Sequence, residues 1–277
     1  MTKTALAKIL VFDSGVGGLS ILQALQDALP ACQYIYASDN QAFPYGTKSA
    51  DFLSRRVQAV LQALIKKTQP DLIVIACNTA STLVLSQIRC HFRIPIVGVV
   101  PAIKPAAEQS KTGVIGLLGT PGTVTRTYTK DLIDQFAGHC EVVSVGSSAL
   151  VEFAEATLRN IPLPPERLCA ILKPFFEHTE LDTIVLACTH FPLIKKQLIA
   201  AAPRNIDWVD SGDAIARRVT TLLQEPFFTT SLPKSHGKHH THTAIFTAQS
   251  HDIGPLENAL ERFGLSQLEY LSDEIFH

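Results

Sequence analysis

Asp71-Leu-Ile-Val-Ile-Ala-Cys77-Asn-Thr79 and Asp182-Thr-Ile-Val-Leu-Ala-Cys188-Thr-His190 are two versions of one pattern. Each starts on an acidic residue, runs through a largely apolar stretch to a cysteine, and passes into polar residues that open a helical pattern. An apolar run without alternation reads as a strand buried on both faces, as in a parallel sheet covered by helices. Asp71 and Asp182 are 111 residues apart, and so are Cys77 and Cys188. Strands of α/β proteins resemble one another, but a cysteine at the same place in both copies points to an ancient duplication.

Working outward, short apolar runs alternate with helical patterns. Strands are expected at Lys8–Phe12, Gln33–Ala37, Leu72–Ala76 and Ile96–Val99, with helices at Leu19–Leu29, Ser49–Thr68 and about Ala80–Cys90. In the helix after Ser49, a plausible N-cap, Phe52, Val57, Val60, Leu61, Leu64 and Ile65 form the apolar stripe. The pattern restarts with strands at Thr112–Leu118, Glu141–Val145 and Thr183–Ala187. Its helices are Val124–Phe136, Ser148–Leu158 and Leu168–His178, and a strand end and helix span Trp208–Leu223. A weaker echo pairs Phe12-Asp-Ser-Gly15 with Leu118-Gly-Thr120. The expected fold is α/β: two similar lobes, each a parallel-type sheet flanked by helices, related by a pseudo-two-fold. Pro101 and Pro105 mark the passage between them. Residues 1–100, joined by 209–277, would form the first lobe and 101–208 the second.

The chain has 277 residues, 46% hydrophobic and 18% charged, so it can bury a sizeable core and wholesale disorder is excluded. Its formal net charge of -1 gives no electrostatic reason to expect nucleic acid or an anionic membrane as a partner. No apolar run approaches the roughly 18 residues of a membrane span, and the first 20 residues do not read as a signal peptide. The cytoplasm is the expected location. Six cysteines stand at 32, 77, 90, 140, 169 and 188, none in a Cys-x-x-Cys pair, so a disulfide framework is not expected. Residues 226–252 read as irregular. The four histidines within Lys234–His242 are expected to lie on a solvated surface loop, with adventitious metal binding as the alternative.

In an open parallel sheet, ligands bind beyond the carboxyl ends of the strands. Both repeated cysteines belong there, each just before a helix whose N–H groups favour a thiolate. A free thiol titrates near about 8.5; bringing it to the working pH takes roughly 2 kcal/mol, after which it serves as base or acid. Two such groups, one per lobe, meet the stereochemical demand of racemising a small amino acid: one removes the α-hydrogen and the other returns a proton to the opposite face. Asp13 ends the first strand and can orient Cys77 or accept its proton; His190 can do the same for Cys188. Ser14, Asn78, Thr79, Thr120, Thr123 and Thr189 place hydroxyl or amide groups at the same strand ends, where they can bind a carboxylate or only cap helices. Asp13-Ser-Gly-Val-Gly-Gly18 is not Gly-x-Gly-x-x-Gly, because residue 20 is serine, and no Walker lysine pattern occurs. Neither a cofactor nor a metal is expected.

Five segments resemble the signatures of the glutamate racemase family: Phe12-Asp-Ser-Gly-Val-Gly-Gly-Leu19, Phe43-Pro-Tyr-Gly-Thr47, Ala76-Cys-Asn-Thr-Ala80, Leu118-Gly-Thr-Pro-Gly-Thr-Val124 and Ala187-Cys-Thr-His-Phe-Pro192. The resemblance runs from about Ile9 to Val219. It implies catalytic Cys77 and Cys188, assisted by Asp13, His190 and Glu152, with substrate contacts from Asp13, Ser14, Tyr45, Gly46, Asn78, Thr79, Thr189 and His190. The implied reaction interconverts L- and D-glutamate for peptidoglycan synthesis without a cofactor. Gly146-Ser-Ser-Ala-Leu-Val-Glu152 lacks the Cys-Pro pair of many relatives and resembles the gamma-proteobacterial branch. That branch implies a UDP-muramoyl-alanine activator, with its site around Gly98–Lys104. Residues 224–277 carry no motif. The competing readings are an aspartate racemase, which shares the paired cysteines, and a non-catalytic amino-acid-binding or gyrase-inhibiting protein, which would not need them. A related decarboxylase with a single cysteine fits less well.

Overall fold

The computed structural model describes residues 6–162, 164–225, 241–250 and 253–271. The chain forms two compact units, Met1–Val99 with Gly212–His277, and Val100–Ser211. Ten strands are described: β1 (Lys8–Asp13), β2 (Gln33–Ser38), β3 (Leu72–Ile75), β4 (Ile96–Gly98), β5 (Val114–Gly119), β6 (Glu141–Gly146), β7 (Thr183–Ala187), β8 (Asp207–Val209), β9 (His242–Phe246) and β10 (Leu265–Tyr270).

The sheet of the first unit has the order β10-β9-β2-β1-β3-β4, and that of the second β6-β5-β7-β8; every pairing is parallel. In chain order, the first four strands of each unit take the same places: second, first, third, fourth. The registers agree as well. Phe12 lies opposite Ile75 in one sheet and Leu118 opposite Leu186 in the other. This makes Asp13 the counterpart of Gly119 and Ser14 the counterpart of Thr120, as the weak sequence echo suggests.

Helices cover the first sheet, which is why Ile9–Phe12 of β1 and all of β3 are apolar and buried. Leu53, Val57, Val60, Leu61 and Leu64 of the helix Ala50–Thr68 pack with Leu10, Phe12, Ile73 and Ile75. Each such side chain contributes about 2 kcal/mol when fully buried, so the stripe rather than intrinsic propensity holds this helix. Its start matches the expectation: the Ser49 hydroxyl accepts the Phe52 N–H at 3.3 Å. Leu19, Ile21, Leu22 and Leu25 bury the helix Leu19–Ala28, which packs against Gly212–Leu223.

The repeated acids are structural staples. Asp71 Oδ2 accepts the Lys8 N–H at 2.7 Å where β1 begins. Asp182 accepts the N–H groups of Lys111 and Thr112 at 2.7 and 3.1 Å just before β5, and the hydroxyls of Ser110 and Thr183 at 2.7 and 2.9 Å. Although burial opposes ionisation of Asp182, these donors outweigh it and hold the carboxyl at about 2.

Some elements differ from the sequence expectation. The helix expected over Val124–Phe136 is two, Pro121–Thr125 and Thr127–Phe136, because Arg126 is extended with φ -71° and ψ 145°. A helix at Ile103–Gln109 carries Pro105 in its first turn, where no intrahelical acceptor is needed. Within 226–252, read as irregular, His242–Phe246 forms β9 by pairing with β2 and β10; residues 226–240 and 251–252 lie outside the described residues, with three of the four clustered histidines. The fourth, His242, is structural: its Nδ1 accepts the Tyr34 N–H at 3.2 Å.

Candidate active site

In the first unit the strand order reverses between β1 and β3, the place where an open α/β sheet leaves a crevice beyond its carboxyl ends. Asp13 is the last residue of β1. Cys77 follows β3 by two residues and is the N-terminal boundary of the 14-residue helix Asn78–His91. Cys77 is buried, and its sulfur lies 3.7 Å from the Ser14 hydroxyl. Asp13 is fully buried and uses Oδ1 to accept the Gly15 N–H at 2.8 Å. The Tyr36 hydroxyl donates to the Gly15 carbonyl at 2.6 Å and steadies the same turn.

The glycine-rich turn serves close approach. A Cβ on Gly18 would sit 2.9 Å from the Cβ atoms of both Asp13 and Ala76, so only glycine lets the following helix start here. Asn78 and Thr79 are buried at the helix N-terminus, and Asn78 Oδ1 has no hydrogen-bond partner among the described residues. A buried acceptor in this state suits a ligand N–H. Tyr45 and Gly46 lie on a 3-10 turn packed against the Asn78–His91 helix. The Tyr45 hydroxyl donates to Asp39 at 2.6 Å, so its phenol is held by the protein. Burial, then the Asp39 carboxylate, pushes that phenol well above its ordinary value.

The second unit repeats the geometry with different chemistry. Its order reverses between β5 and β7, and Cys188 follows β7 directly, buried beside buried Thr189 and His190. Glycine stands at the counterpart of Asp13. The group beside the thiol here is His190, whose Nδ1 lies 3.8 Å from the Cys188 sulfur and whose Nε2 lies 2.9 Å from Glu155 Oε1. Glu155 Oε2 in turn accepts from Arg159 Nη1 at 2.6 Å. Burial alone would lower the His190 pKa, but the bonds to Cys188 and Glu155 outweigh it and raise it well above the ordinary imidazole value. Burial would raise Glu155, yet His190 and Arg159 bring it down to about 2. A line of thiol, imidazolium, carboxylate and guanidinium results.

The two thiols therefore differ in their support. Cys77 precedes a full helix, as expected. Cys188 opens instead onto the four-residue 3-10 turn Phe191–Ile194, so the expected helix N-terminus is not there and the imidazolium supplies the positive charge. Thr120 acts as a cap, accepting the Thr123 N–H at 3.3 Å. Among the other cysteines, Cys32 is pushed up to about 12 by burial and the Asp71 charge, the opposite of a reactive thiol.

A family model described as Asp/Glu/Hydantoin racemase matches residues 17–219. The chain belongs to this family. It is 46% identical over 257 residues to a glutamate racemase of Sodalis glossinidius, covering 92% of this chain and 88% of that protein. The crystal structure of Escherichia coli glutamate racemase in complex with L-glutamate and the activator UDP-MurNAc-Ala superposes with a TM-score of 0.89 at 43% identity, covering 97% of this chain and 99% of that one. The glutamate racemase isoform RacE1 of Bacillus anthracis gives 0.81 at 25% identity, covering 96% and 98%.

In this member of the Asp/Glu/Hydantoin racemase family, Asp13, Ser14, Tyr45, Gly46, Asn78 and Thr79 belong to the Cys77 unit, and Thr189 and His190 adjoin Cys188. Glu152 does not join them. It stands exposed in the first turn of the helix Ala149–Leu158, while Glu155, one turn further along, reaches His190. Glu155 and Arg159 are candidate site residues that the sequence reading missed. Their i,i+4 spacing was the available signal, since it marks a pair on one helix face. Asp39 was missed as well; as a single acid after a strand it carries no pattern.

Proposed function

We propose that the chain is a glutamate racemase that interconverts L- and D-glutamate by a two-base mechanism, supplying D-glutamate for peptidoglycan. The thiolate of one cysteine takes the α-proton; the electron pair stays on the substrate as a carbanion conjugated with its carboxylate; the thiol of the other cysteine delivers a proton to the opposite face. In the reverse direction the two exchange roles, so no atom or electron is left over. Asp13 assists Cys77, and His190, held by Glu155, assists Cys188. The N–H groups at the start of the Asn78–His91 helix, with Asn78 and Thr79, and Thr189 in the other half-site, suit the substrate's polar groups. Tyr45 and Gly46 flank the Cys77 half-site.

One observation carries this reading: a thiol follows the third strand of each of two sheets with the same strand order, Cys77 beside the Ser14 hydroxyl after the strand that neighbours the one ending in Asp13, and Cys188 beside the His190 imidazole. The likeness to the Escherichia coli enzyme supports glutamate as substrate and UDP-MurNAc-Ala as activator. No helix among the described residues is long and apolar enough to cross a membrane.

The test is the circular dichroism of L-glutamate incubated with the protein, with and without UDP-MurNAc-Ala, and of L-aspartate in parallel. The signal of glutamate decays to zero while that of aspartate persists. Cys77→Ser and Cys188→Ser each lose most of the turnover. Racemisation by either variant at the wild-type rate removes that cysteine from the mechanism.

A further inference from the structure

Resting on the racemase reading, we propose that Thr247 is a positioning residue for the reaction: its hydroxyl fixes Asp39, and through it the Asn40–Thr47 segment that borders Cys77. Thr247 directly follows β9, beyond the 17–219 span of the family match. The carboxyl ends of three neighbouring strands meet here. The Asp39 N–H donates to the Asp13 carbonyl at 2.9 Å, and the Thr247 N–H donates to the Ser38 carbonyl at 3.1 Å.

Asp39 is fully buried and accepts four hydrogen bonds. Arg56 gives two, at 2.9 and 2.6 Å, the Tyr45 hydroxyl one at 2.6 Å, and the Thr247 hydroxyl one at 2.7 Å. Thr247 Oγ1 also accepts the Gln41 N–H at 3.2 Å. Asn40 is held by the next residue, since its side-chain amide donates to the Ala248 carbonyl at 2.8 Å and accepts the Ala248 N–H at 3.0 Å. The start of the segment Asn40–Thr47 is thus tied both to the residues after β9 and to Arg56, and Tyr45 ties its far part back to Asp39.

That segment carries Tyr45 and Gly46. Tyr45 shares a buried apolar cluster with Cys77 and lies close enough to feel the charge of its thiolate. A valine at 247 keeps the volume but replaces the donor with a methyl, leaving a buried carboxylate oxygen short of one bond. Asp39 then shifts toward Arg56, and Tyr45 moves with it. The consequence falls on substrate binding, because no proton-transferring group is touched.

The experiment compares Thr247→Val and Thr247→Ser in the full chain, reading KM and kcat for L-glutamate and the thermal midpoint. Thr247→Val raises KM about tenfold with kcat within about threefold, as expected for one lost hydrogen bond to a charged group. Thr247→Ser restores KM to within about twofold of wild type. If the valine variant does not fold, Thr247→Ala against Thr247→Ser carries the same comparison. An unchanged KM in the folded variant overturns the proposal; so does a fall in kcat and thermal midpoint together at constant KM, which marks the hydroxyl as structural only. A wild-type chain that does not racemise glutamate overturns the racemase reading itself, a distinct result.

Discussion

The imidazole of His190 bridges Cys188 and Glu155, with its Nδ1 3.8 Å from the sulfur and its Nε2 2.9 Å from Oε1 of the carboxylate. Replacing Glu155 with glutamine keeps the shape and removes the charge that holds the imidazole cationic and oriented. Glu155→Gln is expected to lose about 10²-fold in kcat/KM, roughly 2.7 kcal/mol. Because the two enantiomers have equal free energy in water, kcat/KM must fall by the same factor from L- and D-glutamate, although kcat and KM separately are free to diverge. Progress curves from both enantiomers test this; a variant within twofold of wild type excludes Glu155 from the relay.

The same pair sets a pH window for stability. Glu155 is depressed from its ordinary 4.5 to about 2, so its contribution is present above 4.5 and is lost as pH falls toward 2. His190 is raised above its ordinary 6.5, so its contribution is complete below 6.5 and is lost as pH rises toward its folded value. The stability difference between wild type and His190→Asn, measured by urea unfolding, is therefore largest between 4.5 and 6.5. A difference that grows continuously with pH above 6.5 contradicts the assignment.

Gly18 is required by space rather than by backbone angle. The Cβ atoms that crowd it are fixed to the backbone, of Asp13 at the end of β1 and of Ala76 just after β3, and cannot swing away. Gly18→Ala is expected to cost about 1–3 kcal/mol and to reduce kcat, because the displaced helix shifts Asp13 relative to Cys77. Thermal unfolding together with turnover checks both; full activity in a destabilised protein separates the turn from the site.

Asp182 predicts the opposite pairing of effects. Asp182→Asn weakens the bonds that fasten the start of β5, at a cost on the order of 1 kcal/mol after discounting for solvent, and leaves kcat unchanged. The wild-type carboxyl is depressed from 3.8 to about 2, so the difference between the two proteins shrinks as pH falls through that range. A loss of turnover at unchanged stability would move Asp182 into the chemistry.

The sequence reading reached furthest where burial leaves a strong imprint. β3 and, after Thr183, β7 are apolar runs because they are buried along their whole length, and the cysteine that follows each exposed the repeat. Ser49 was readable because a cap acts within three residues. Asp13 and His190 were legible by adjacency to strand ends. Glu155 was not, since a helix offers several carboxylates and only packing selects the one that meets His190. Thr247 and Asp39 meet across 208 residues of chain, which no local pattern records. β10, Leu-Ser-Gln-Leu-Glu-Tyr at the sheet edge, lacks both the alternation and the continuous apolar run that announce a strand.

Deuterium labelling tests the central claim, that one thiol removes the α-hydrogen and a different one restores it. Wild-type protein acts on L-glutamate in D2O, and both enantiomers are separated at low conversion and weighed by mass spectrometry. The account predicts D-glutamate bearing one deuterium at the α-carbon while the remaining L-glutamate is unlabelled. D-glutamate that keeps its original hydrogen, or equal labelling of both enantiomers from the outset, would mean a single group serving both faces and would contradict it.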